Sequence, residues 1–166
     1  IAQTINVLQA VLLTEGAQMI KTPTYHIFKM YKVHQNSTML PIMPVGSVPV
    51  YQAPATPSTL LNQAASAEET IPMLHTSASV GQDGVIHITL CNLSDAEDYP
   101  AVFVLNKADA QSDSTPVVTG EVLTSPSLQD HNTFAQPDLV APVEVSGVNC
   151  TIIAPGQIRG AYQGPG

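Results

Sequence analysis

Positive charge is scarce in this sequence: five Lys and Arg stand against thirteen Asp and Glu among 166 residues, a formal net charge of −8. No basic cluster exists to neutralise a run of phosphates, which argues against a nucleic-acid partner. Tryptophan is absent, and the aromatics amount to five Tyr and three Phe. Sugar-binding faces stack rings on exposed aromatic side chains, so this scarcity weighs against a stand-alone carbohydrate-binding module, the main alternative from a non-enzyme class. No apolar run approaches the roughly 20 residues of a membrane-spanning helix, because Gln9, Thr14 and Glu15 punctuate the most apolar region; no membrane partner is expected. Neither a Gly-x-Ser-x-Gly elbow nor a phosphate-cradling glycine loop occurs.

Cysteine is equally sparse. The two residues, Cys91 and Cys150, lie in strand-like stretches of opposite parity. In 85–91 the alternation places Ile86, Ile88 and Leu90 on a core face and His87, Thr89 and Cys91 on the other, whereas Cys150 shares a face with Val148 and Ile152. Two separate free thiols are expected.

What remains is 44% apolar, the composition of a folded protein of roughly one-domain size. Residues 5–13 form a dense apolar, β-branched stretch that reads as a buried extended segment ending at Thr14-Glu15-Gly16. Thr22-Pro23 is a helix start, with a capping hydroxyl followed by a proline whose missing N–H is not needed at the first helical position. The spacing of Tyr25, Phe28 and Tyr31, flanked by Ile27 and Met30, predicts an apolar stripe on a helix from about 23 to about 35, with Lys29 and Lys32 toward solvent.

Five prolines, Pro41, Pro44, Pro49, Pro54 and Pro57, exclude a regular helix from about 41 to 58 and leave 47–51 as an edge strand at most. Residues 60–70 read as a polar loop. From Met73 the pattern becomes short strands between turns. A hairpin is predicted from 74–80 through Gly81-Gln82-Asp83-Gly84 into 85–91, followed by a strand pair from 101–105 and 117–123 and a hairpin within 143–153. The class is mainly β, an antiparallel β-sandwich. The last twelve residues, 155–166, lack alternation and read as a disordered tail.

Five stretches, in order, resemble the α-L-arabinofuranosidases of glycoside hydrolase family 51. They are Ala2-Gln3-Thr4-Ile5-Asn6-Val7, the helix with Thr22-Pro23-Thr24-Tyr25-His26, the hairpin of 74–93, Gly120-Glu121-Val122-Leu123-Thr124-Ser125, and Asp130-His131-Asn132-Thr133-Phe134 leading to Pro137-Asp138-Leu139-Val140-Ala141-Pro142. The last is the most distinctive. The resemblance implies four segments: residues 1–40 a remnant of the catalytic (β/α)8 barrel, its last strand end and helix; 41–72 a Pro-rich connection; 73–154 the C-terminal β-sandwich domain; and 155–166 the tail, which departs from the family's Val/Leu-rich closing strand. A whole barrel needs roughly 250 residues and cannot fit here.

The implied activity is a retaining exo-hydrolysis of terminal α-L-arabinofuranosyl units in arabinan or arabinoxylan oligosaccharides, by a cytoplasmic enzyme that forms homo-oligomers when full length; secretion stays open. Retaining hydrolysis uses two carboxyl groups about 5–5.5 Å apart. No segment matches either of the family's catalytic glutamate motifs, so the chain by itself is expected to be inactive and structural. Gln3 matches a family glutamine near the bound arabinose. Its amide suits a substrate-binding role toward sugar hydroxyls, and it equally suits satisfying backbone groups at a strand end. Asn6 is read as the second of these.

The other polar residues offer little chemistry. Glu15, beside Gly16, reads as a loop residue, and Glu68-Glu69 as solvated. Asp95, Glu97 and Asp98 offer oxygen ligands but lack a calcium-loop pattern. His26 and His34 are two helical turns apart, too far for one metal, and His75, His87 and His131 have no close partner in sequence. The histidines read as surface or hydrogen-bonded core residues, and no metal or cofactor is called for.

Overall fold

A computed structural model describes residues 4–43, 47–52, 70–99, 101–106 and 117–145, together with the backbone of 149–154 and 157–162. Its elements are β1 (Leu12–Glu15), β2 (Gln18–Lys21), α1 (Pro23–Tyr31), a 3-10 turn (Lys32–His34), β3 (Thr38–Met39), β4 (Val50–Gln52), β5 (Thr70–Pro72), β6 (Leu74–Val80), β7 (Ile86–Asn92), β8 (Ala101–Asn106), β9 (Glu121–Val122), β10 (Val143–Glu144), β11 (Asn149–Ala154) and β12 (Gln157–Tyr162). Among the described residues the named strands all pair antiparallel, beside one isolated parallel bridge between Ile5 and Leu12, in agreement with the mainly β expectation. The chain divides into two compact units, one of Ile1–Lys32 with Asp98–Gly166 and one of Val33–Glu97.

In the first unit the segment before β1 is not one extended strand. Asn6 and Gln9 adopt left-handed conformations, φ 53° and 63°, and the Ala10 N–H donates to the Val7 carbonyl at 2.9 Å. The apolar density there reflects a folded-back turn, and β-branched composition alone does not reveal the two reversals. The chain then pairs β1 with β2, Leu12 opposite Lys21 and Glu15 opposite Gln18, around Gly16 at φ 56°, a conformation glycine adopts without steric cost.

Helix α1 begins where Thr22-Pro23 predicts, with Thr22 extended as N-cap and Pro23 in the first position. The Thr22 hydroxyl does not cap. It donates to the Ala10 carbonyl at 2.6 Å and lies 3.0 Å from that of Val11, so the helix start is tied to the turn before β1. The expected stripe is also revised: Phe28 is 66% exposed and Ile27 and Tyr31 are exposed, while Thr22 and His26 are buried. The buried line passes from Thr22 to His26, with Tyr25 and Met30 half-buried beside it, and Ile27, Phe28 and Tyr31 face away from the unit's own core.

That core is small and half polar. Among the described residues the buried apolar side chains are Ala10, Ile20 and Val140, accompanied by buried Thr22, His26 and Asn132, all in the first unit.

Three strand expectations are corrected. The pairing of 101–105 with 117–123 does not form; β8 pairs with β12, and β9 with β10. The hairpin within 143–153 is replaced by β11 with β12. Residues 157–162 are therefore a strand and not part of a disordered tail, for β12 lies between β11 and β8 with Gly160 opposite both Cys150 and Phe103. A glycine weakens a strand locally, but a central position supplies ladder partners on both sides.

In the second unit the predicted hairpin forms with β6 and β7 in full register from Leu74 opposite Asn92 to Val80 opposite Ile86. The Gly81 N–H donates to the Val85 carbonyl at 2.9 Å, Asp83 Oδ1 accepts from the Val85 N–H at 3.0 Å, and Gly84 takes φ 79°. β3 pairs with β6, and β4 pairs with β5 as a separate ribbon, consistent with the edge character expected around Pro49. The proposed core face is revised, since Ile86 and Leu90 are exposed whereas Ser79, on the opposite face, is only 4% exposed. The reason is His34: its Nδ1 lies 2.7 Å from Ser79 Oγ and its Nε2 2.6 Å from Thr89 Oγ1, which seats the 3-10 turn on the hydroxyl-bearing side of the sheet. Cys91 is exposed and free, as expected; the side chain of Cys150 lies outside the described residues, as does the polar loop expected at 60–70 except for Thr70, which begins β5.

Candidate functional site

The segment from Asp130 to Val140, the most distinctive in the sequence, folds around one side chain. Asn132 is 2% exposed, and its amide faces the main chain of Val140: Oδ1 accepts from the Val140 N–H at 2.7 Å while Nδ2 donates to the Val140 carbonyl at 2.9 Å. The second Nδ2 proton reaches the Lys21 carbonyl, also at 2.9 Å, at the end of β2. A carboxamide is the side chain suited to this place, because one planar group donates twice and accepts once. Neighbouring polar atoms are also engaged locally. Asp130 Oδ2 accepts from the Ser125 hydroxyl and from the Ser127 N–H, the Gln136 N–H reaches Thr133 Oγ1 at 3.1 Å, and His131 Nδ1 lies 2.8 Å from the Gln129 carbonyl.

Asn6 repeats the device on β1. Its Oδ1 accepts from the Thr14 N–H at 2.7 Å, and its Nδ2 donates to the Thr14 carbonyl at 3.2 Å and to Thr14 Oγ1 at 2.8 Å. This agrees with the reading of Asn6 as a residue that satisfies backbone groups. Gln3 lies outside the described residues.

The remaining candidates disperse. Glu15 is exposed at the end of β1, and Glu68-Glu69 lie outside the described residues. Asp95, Glu97 and Asp98 are exposed along a loop organised by other side chains. Asn92 Nδ2 donates to the Glu97 carbonyl at 2.8 Å, and Ser94 Oγ accepts from the Glu97 N–H at 3.0 Å. Among the described residues no group of three or more His, Cys, Asp or Glu is placed to hold a metal ion, and no helix is long and apolar enough to cross a membrane.

The histidines separate into distinct settings. His34 is bonded as described, and His75 and His131 are exposed. His26 departs from the expectation of a surface or hydrogen-bonded residue: it is 7% exposed, yet neither ring nitrogen has a hydrogen-bond partner among the described residues. The Tyr25 ring stands edge-on to it, centroids 5.5 Å apart. Burial, then the charges of Lys21 and Lys29, hold its pKa below the ordinary histidine value, against the opposing influence of Asp138 and Glu121.

Sequence reasoning singled out the Asp130–Val140 stretch without finding the job of Asn132. The signal available was an asparagine eight positions before an apolar residue, the interval repeated by Asn6 and Thr14.

Comparison with known proteins fits these elements. The family model for the α-L-arabinofuranosidase C-terminal domain matches residues 1–155. The chain belongs to this family. An intracellular exo-α-L-arabinofuranosidase of Bacteroides ovatus is 39% identical over 142 residues, covering 86% of this chain and 24% of that protein. The crystal structure of the family 51 arabinofuranosidase of Xanthomonas axonopodis pv. citri superposes with a TM-score of 0.68 at 32% identity, over 98% of this chain and 28% of that one. The chain thus spans about a quarter of the length of the relatives it matches. It is the C-terminal part of a family 51 arabinofuranosidase fold, of the antiparallel β-sandwich class.

Proposed function

We propose that this chain is the structural C-terminal part of a retaining α-L-arabinofuranosidase that removes terminal non-reducing arabinofuranosyl units from arabinan and arabinoxylan oligosaccharides. In this reading the catalytic glutamates belong to the larger part of the enzyme, and the whole enzyme acts inside the cell as a homo-oligomer. Residues 1–40 are the last strand end and helix of the catalytic barrel. The exposed apolar side of that segment, with Ile27, Phe28 and Tyr31 on α1 and Leu8 before β1, is the surface on which the rest of the barrel would seat.

The observation that carries the structural role is Asn132. The most distinctive family stretch spends its central side chain on backbone bonds to Val140 and Lys21, in a buried position where no sugar hydroxyl competes for it. Gln3 retains the substrate-facing role implied by the resemblance, which the larger enzyme alone can display.

The purified 166-residue chain is expected to release no aryl group from an aryl α-L-arabinofuranoside; turnover that survives repurification would falsify the assignment. Calorimetric titration with arabino-oligosaccharides is expected to show no saturable heat. Micromolar binding would instead favour a carbohydrate-binding module.

A further inference from the structure

His26 is a buried titratable group that the structural role leaves unexplained. A neutral imidazole carries one N–H donor and one acceptor, and leaving both unpaired in a buried place costs desolvation, though far less than burying an unpaired charge. The imidazolium carries two donors and a full charge, and among the described residues no acceptor lies within hydrogen-bond reach of either nitrogen. The groups around it come from every side. Tyr25 and Lys29 share its helix, Lys21 projects from β2 with Nζ 5.4 Å from the Tyr25 ring centroid, Asp138 belongs to the loop closed by Asn132, and Glu121 to β9. The charges of Lys21 and Lys29 disfavour a proton on the ring, and the two carboxylates make no hydrogen bond to it.

We infer that His26 makes the fold around α1 acid-labile: the buried ring is accommodated only while neutral, and uptake of one proton there destabilises the folded chain. The direction of linkage follows from the depressed folded-state pKa. Below the ordinary value of 6.5 the unfolded chain takes up a proton that the folded one refuses. Stability is therefore fully present above that pH and is lost as pH falls toward the folded-state pKa. With one proton excluded, the unfolding equilibrium constant rises by up to about tenfold per pH unit.

Urea unfolding of the full 166-residue chain, followed by circular dichroism from pH 7.5 to pH 5, tests this. The expected result is a steeper acid dependence in the natural sequence than in His26→Phe, by up to the factor above, with His131→Gln tracking the natural sequence. Parallel pH profiles for the natural sequence and His26→Phe would overturn the inference. A second measurement needs no variant: the assigned Cε1–H resonance of His26 should stay at its neutral position through pH 6.5 while the native spectrum persists. Titration of that resonance at or above 6.5 in the folded protein sinks the proposal.

Discussion

Two asparagines in the first unit close loops in the same way and in opposite environments. Asn6 and Asn132 each turn their carboxamide onto the N–H and C=O of the residue eight positions later, Thr14 and Val140. Asn6 does so at the surface and in the left-handed region, with its further donation to Thr14 Oγ1, whereas Asn132 does so at 2% exposure, with its further donation to the Lys21 carbonyl. Each makes three hydrogen bonds; access to water differs greatly. When a surface amide is lost, water replaces it, but when a buried one is lost its partners are left without any. The comparison separates what a hydrogen bond is from what its absence costs.

Breaking the buried member should have the largest effect. Asn132→Ala leaves the Val140 N–H and the Lys21 and Val140 carbonyls without their partner, and a loss of about 3 kcal/mol is expected from the cost of unsatisfied buried groups. Urea midpoints of the purified chain would measure it; a loss below about 1 kcal/mol would mean water enters the site. Thr22→Val comes next. It removes the donor to the Ala10 carbonyl at nearly constant volume, with about 1–1.5 kcal/mol expected in the same assay. The smallest effect belongs to Asn6→Gly, which deletes the surface amide while keeping a residue at ease with φ 53°. About 0.5 kcal/mol is expected, and a value equal to that of Asn132→Ala would remove burial as the deciding variable.

Legibility in the sequence followed the range of the interaction. Thr22-Pro23 marked the start of α1 and Gly81-Gln82-Asp83-Gly84 the β6 to β7 turn, because each depends on residues a few positions apart. The use of the Thr22 hydroxyl was not legible, since its acceptors lie eleven and twelve positions earlier and compete with the cap it is equipped to make. Nor was the hold of His34 on Ser79 and Thr89, 45 and 55 positions away. The apolar stripe on α1 was readable as a pattern, but periodicity reports that a face is greasy and not which protein surface covers it. For the candidate site, order and spelling of the motifs pointed to the family, while the chemistry of Asn132 required seeing Lys21 beside it.

The place of β12 between β8 and β11 has a consequence for how the chain is made. β8 emerges from the ribosome roughly fifty residues before β12, its sheet partner among the described residues, so its hydrogen-bonding edge waits through that interval of synthesis. Such a distant pairing is slow to close and open to capture by other chains meanwhile. In this unit, translation speed across residues 107–157 sets how long a nascent molecule carries an adhesive strand.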